Sequence, residues 1–159
     1  MKIFFFLTVL LVSLSAFSQN EGDTVYKRCP VSIKDTATGN NYFIEHQQAK
    51  VKTYRSNGKF AIVIEQKNQF FTMFFNSKKL STRGRYSISV DVSGKNELRA
   101  KYSFKSGESV AFVDVSKGTV ETSYDKTAKL WHIKLTGLIA DLGETKVNYF
   151  KAIADFYIK

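Results

Sequence analysis

From Asn41 to the C-terminus, polar and apolar residues take turns in short runs. Leu98, Ala100, Tyr102 and Phe104 alternate with Glu97, Arg99, Lys101 and Ser103, and Tyr86, Ile88, Val90 and Val92 alternate with Ser87, Ser89 and Asp91. A period of two puts each set on its own face of an extended chain, a division that a helix cannot use. Turn chemistry separates the runs at Ser56-Asn57-Gly58-Lys59, Ser93-Gly94-Lys95-Asn96, Lys105-Ser106-Gly107-Glu108, Asp125-Lys126-Thr127 and Gly143-Glu144-Thr145. Asn-Gly supplies two consecutive residues that tolerate positive φ, as a tight hairpin requires.

The pattern predicts strands over residues 42–46, 49–55, 59–66, 69–76, 85–92, 97–104, 109–115, 118–124, 129–137 and 146–158, with Leu138 to Leu142 as a bend or short helical turn. The single proline, Pro30, leaves the ladder donors of the later strands intact. No amphipathic run is long enough for a major helix. The expectation is an all-β fold, an antiparallel meander that forms a sandwich or a small closed barrel to bury its apolar faces. Residues 19–41 are polar, carry Gly22, Pro30 and Gly39, and read as an N-terminal arm with one short strand at Val31 to Ile33. Residues 42–159 then form a single β domain.

The first residues follow a different pattern. Met1-Lys2 is followed by an apolar run from Ile3 to Val12, interrupted by Thr8, and then by Ser13, Leu14, Ser15, Ala16, Phe17 and Ser18. One positive charge, a short apolar core and a small-x-small ending are the parts of a secretory signal peptide, read here as residues 1–18 with cleavage after Ala16-Phe17-Ser18. The apolar run falls short of the roughly 20 residues that span a bilayer. A mature chain without a transmembrane helix is therefore expected in the periplasm, on the outer-membrane surface or outside the cell. A small outer-membrane β-barrel of about eight strands is an alternative. Against it, the chain ends Phe156-Tyr157-Ile158-Lys159 rather than on an aromatic residue.

Charge narrows the partners. The chain has 24 Lys+Arg against 14 Asp+Glu; losing Lys2 with the leader leaves 23 − 14, or +9. A positive surface raises encounter rates with acidic proteins and acidic glycans of the envelope. Export removes nucleic acid from the expected partners. Cys29 is the sole cysteine, so no disulfide forms within the chain, and a buried, inert thiol is the reading taken.

No spacing for catalysis stands out. Two histidines, His46 and His132, do not make a metal site without carboxylates beside them, and no His-Glu-x-x-His or Gly-x-Ser-x-Gly is present. Ser56-x-x-Lys59 and Ser123-x-x-Lys126 fall at predicted turns rather than at helix starts. Asp91, Glu97, Asp114 and Glu121 would form a glycosidase pair only if two of them faced each other across a cleft. The sequence reads as a non-enzyme with no cofactor and no metal.

The most informative stretch is Gln69-Phe70-Phe71-Thr72-Met73-Phe74-Phe75, apolar on both faces: Phe71, Met73 and Phe75 on one, Phe70 and Phe74 on the other. Either a central strand is covered on both sides, or Phe70 and Phe74 line a cavity or a partner surface. Lys78, Lys79, Arg83 and Arg85 follow as a basic rim, and Trp131 lies in a later strand. These seven residues are the expected binding surface or cavity. The function expected is an exported, non-catalytic binding or accessory module of the bacterial envelope or exterior that contacts a protein or an acidic glycan. A small apolar-ligand carrier with a barrel cavity is the alternative.

Overall fold

The computed structural model describes residues 19–43, 47–142 and 146–159. The leader, His46 and the turn at Gly143 to Thr145 lie outside them. The described residues form ten strands: β1 (Gln19–Tyr26), β2 (Val31–Asp35), β3 (Ala49–Ser56), β4 (Lys59–Gln66), β5 (Gln69–Phe75), β6 (Arg83–Ile88), β7 (Glu97–Ser106), β8 (Ser109–Asp125), β9 (Leu130–Leu142) and β10 (Val147–Ile158). They form one mixed sheet in the order β1-β3-β4-β5-β7-β6-β8-β9-β10-β2, curled into a half-barrel.

Alternation decides which face is inside. In β10, Ala152, Ala154, Phe156 and Ile158 are buried while Lys151, Ile153, Asp155 and Tyr157 are exposed. Phe71, Met73 and Phe75 of β5 lie inward against Phe60, Ile62 and Ile64 of β4, and the same core takes Leu98, Ala100, Ile133, Leu135 and Phe43. Burying one such side chain contributes roughly 1.5 to 3 kcal/mol, so the concave face supplies the main stabilisation. The convex face carries the charges, including the Lys52–Glu65 pair at 2.5 Å and the bidentate Arg99–Asp114 pair with both contacts at 2.7 Å.

The turns follow their chemistry. Asn57 and Gly58 both adopt positive φ, 49° and 74°, and join β3 to β4 as the Asn-Gly signal requires. At the turn before β7, the Glu97 carboxylate accepts hydrogen bonds from the backbone N–H groups of Ser93 and Gly94 at 2.8 and 3.0 Å. These bonds hold its carboxyl below the usual range.

Four features depart from the expectation. First, there is a single sheet rather than two stacked ones, and it is mixed, because β6 and β7 pair in parallel through Ser87–Glu97 and Ile88–Leu98. Second, residues 109–125 are one long strand. A bulge between Val115 and Lys117 shifts the register, so odd-numbered Val115 and even-numbered Val120 both face the core. The two halves of β8 pair with different strands, the first with β7 and the second with β6. Third, residues 138–142 continue β9, because β10 pairs along them as far as Val147–Leu142. Fourth, β6 ends at Ile88, and Val90, beyond the sheet, is exposed.

Residues 19–41 contribute both edges of the sheet. β1 pairs with β3, and β2 pairs with β10 at the opposite end. Only residues 27–30 separate them in sequence, so the two edges come together at a seam. There the Tyr26 hydroxyl accepts a hydrogen bond from the Tyr157 N–H at 2.8 Å and donates to the Tyr157 carbonyl. The Cys29 N–H donates to the Gln47 carbonyl at 2.8 Å, and the Cys29 side chain is buried beside the seam.

Candidate functional site

The concave face is filled over most of its length, but it opens at the end formed by the β7–β8 hairpin. Four inward alternations run past the packed core there. Tyr102 and Phe104 continue the face of Leu98 and Ala100, Phe150 continues that of Ala152 and Ala154, Asp141 continues that of Ile139, and Ala111 and Val113 continue that of Val115. They line a cavity of about 300 Å³ together with Ile33, Tyr42 and Phe112.

Ring geometry fixes its walls. Tyr42 and Phe150 meet edge to face with centroids 5.0 Å apart, and Tyr102 meets the buried Phe43 in the same manner at 5.9 Å. Phe112 lies at the rim, its ring 4.3 Å from the Lys101 ammonium. Burial alone raises the Tyr102 hydroxyl above its ordinary pKa, which keeps it a neutral donor and acceptor. Phe104 is 41% exposed and Tyr42 44% exposed, unusual values for rings beside a packed core. Among the described residues, the lining contains one carboxylate, Asp141, and no lysine, arginine or histidine.

The residues singled out from sequence lie elsewhere. Phe74 points out of the convex face and is 45% exposed, and Phe70 is half-buried on the same side. β5 is therefore covered on its inner face while its outer face stays partly open. The basic residues around Phe74 are Lys59, Arg99 and Lys101, which line a shallow groove with Val90 and Val92. Lys78 and Lys79 are exposed in the loop after β5, and the Lys78 stem lies close over Gly58. Arg83 and Arg85 stand on the outer face of β6. Trp131 faces inward with Ile133 and Leu135 and packs against Tyr124 at 5.0 Å, outside the lining of the aromatic cavity.

Arg83 and Arg85 belong to an ordered polar array. Register aligns Arg83, Ser123, His132 and Tyr157 in one row and Arg85, Glu121, Lys134 and Asp155 in the next. His132 stacks on Tyr157 with centroids 4.3 Å apart and contacts Asp155 at 2.5 Å, while Arg85 meets Glu121 at 3.4 Å. The array presents alternating charge along an open groove.

Three of the four carboxylates considered for glycoside cleavage have structural partners: Asp114 holds Arg99, Glu97 closes the turn before β7, and Glu121 pairs with Arg85. Among the described residues no group of three or more His, Cys, Asp or Glu side chains is placed to hold a metal ion. The site with the most distinctive chemistry is thus the aromatic cavity. Comparison of the chain with known protein families, curated proteins and solved structures finds no match.

Proposed function

We propose that the mature protein is an exported, non-catalytic binding module of the bacterial envelope or exterior that holds a small apolar molecule at the open end of its half-barrel. In this reading the half-barrel works as a small closed barrel, with Tyr26 taking the place of ladder hydrogen bonds at the seam. The observation that carries the proposal is the cavity of about 300 Å³ walled by Tyr42, Tyr102, Phe104 and Phe150. That volume lies at the lower end of the range of small-molecule sites, and such sites are apolar with few polar groups. The opposite sidedness, an apolar exterior around a polar lumen, would suit an outer-membrane barrel. Here the charged convex face and the packed concave face weigh against that alternative.

Native mass spectrometry of protein purified without detergent tests the proposal. A retained mass that denaturation releases is the expected result, and Phe104→Ala should lose it. A chain that carries no added mass and takes up no environment-sensitive apolar dye would overturn the proposal.

A second reading rests on Phe74, whose exposed ring is flanked by Lys59, Arg99 and Lys101. An aromatic anchor with a basic rim suits an acidic protein or an acidic glycan. Pull-down from envelope extract at low and high salt, with wild type against Phe74→Ser, tests this surface. A partner retained equally by both proteins would count against it.

A further inference from the structure

We infer that the occupant of the aromatic cavity carries a positively charged amine joined to its apolar body. This inference rests on reading the cavity as a ligand site, and it is drawn from Asp141, the one charged side chain among the described residues of its lining.

Asp141 sits two residues beyond the buried Ile139 on the inward face of β9 and lines the cavity mouth. Its carboxylate is exposed and makes no ion pair and no hydrogen bond with any described residue. Asp35 and Asp125 cap turns, Glu65, Asp114 and Glu121 pair with basic side chains, and Asp155 meets His132. A chain with 24 Lys+Arg against 14 Asp+Glu offers basic partners in excess. Yet among the described residues none lines this cavity, where the other side chains are rings and aliphatic groups.

The two features point to the same chemistry. Aromatic faces carry negative potential and attract a cation placed within about 6 Å. A carboxylate supplies the counter-charge, and filling the cavity with apolar matter would strip water from Asp141 without giving it a partner. A fatty-acid type ligand would bring a second negative charge against both the acid and the ring faces. The net positive charge of the whole molecule opposes a cation only weakly at this range, because salt screens distant charges over about 8 Å. The Tyr42 and Tyr102 hydroxyls, which make no hydrogen bond to a described residue, are free to accept from an ammonium N–H.

Three ligands with one short chain and different heads separate the possibilities: octylammonium, octanol and octanoate, titrated calorimetrically at neutral pH below their micelle concentrations. With wild type, the ammonium should bind about tenfold or more tighter than octanoate. Asp141→Asn, with Asp141→Ser as a second variant in case the first folds poorly, should bring the three heads towards equality. Phe104→Ala should weaken all three. Equal affinity for the three heads in wild type, or a head-group preference that survives both Asp141 variants, would overturn the inference while leaving the cavity reading in place. Failure of wild type to take up any of the three would overturn both.

Discussion

At Gly118 the backbone runs at φ 155°, and a Cβ placed there would lie 2.3 Å from the Thr136 carbonyl oxygen and 2.6 Å from the Gly137 Cα. Both obstacles are backbone, so neither can turn aside. Gly118→Ala should cost about 2 kcal/mol or more in urea denaturation, by forcing β8 and β9 apart at the bulge. Gly39 is the control: its φ is also positive, at 72°, but nothing lies within 4 Å of the added methyl. Gly39→Ala should therefore show only the conformational penalty, about 1 kcal/mol. The Asp114–Arg99 pair sets a second expectation at this scale. The Arg99 guanidinium beside Asp114 lowers its carboxyl pKa, and Asp114 in turn raises that of Arg99. A depressed acid stabilises the fold above its unfolded pKa of about 3.9 and loses that contribution as the pH falls through its lower folded value. Asp114→Asn should thus destabilise by about 1 to 2 kcal/mol at pH 6, and the gap between wild type and variant should narrow on acidification below about pH 4. A gap that widens in acid would reverse the assignment.

Individual strands were readable where one face is uniformly apolar and a turn with special φ ends the run. β3, β4 and β5 fall within a residue of their predicted bounds because Asn57-Gly58 and the period of two act together. Legibility failed where an element changes partner. The β8 bulge exchanges inward and outward positions at Ser116 and Lys117, which reads in sequence as the end of one strand and the start of another. β1 carries little strand signal in the sequence because its apolar content is low; it is held as a strand by its ladder to β3. The cavity was legible only in part. Tyr102 and Phe104 stood on the correct face of a predicted strand, but Tyr42, Asp141 and Phe150 are far from them in the chain, and only the curl of the sheet gathers them. The signal available was that the apolar face of β7 runs on to Phe104, beyond what the core needs. The tip of the β7–β8 hairpin, where Val110 and Phe112 are about 60% exposed, is the least supported part of the sheet. In hydrogen exchange, amides of residues 105–112 should open faster than those of residues 98–102, and an occupant of the cavity should slow them.

At the scale of the molecule, the Tyr26 hydroxyl joins β1 to the end of β10 through both backbone groups of Tyr157, where no ladder runs between the two strands among the described residues. Tyr26→Phe removes both bonds to Tyr157. It should cost about 1 to 2 kcal/mol and speed amide exchange at residues 155–158, while the concave core stays intact. Unchanged exchange there would mean that the hydroxyl is dispensable. The seam also has a consequence in time. Its two tyrosines are 131 residues apart, and β2 pairs with β10, more than a hundred residues further along the chain. Loop closure over such a separation is slow. A polypeptide emerging from a ribosome could not complete this structure until β10 had been made, so β2 waits through most of the synthesis of the domain for the strand it pairs with.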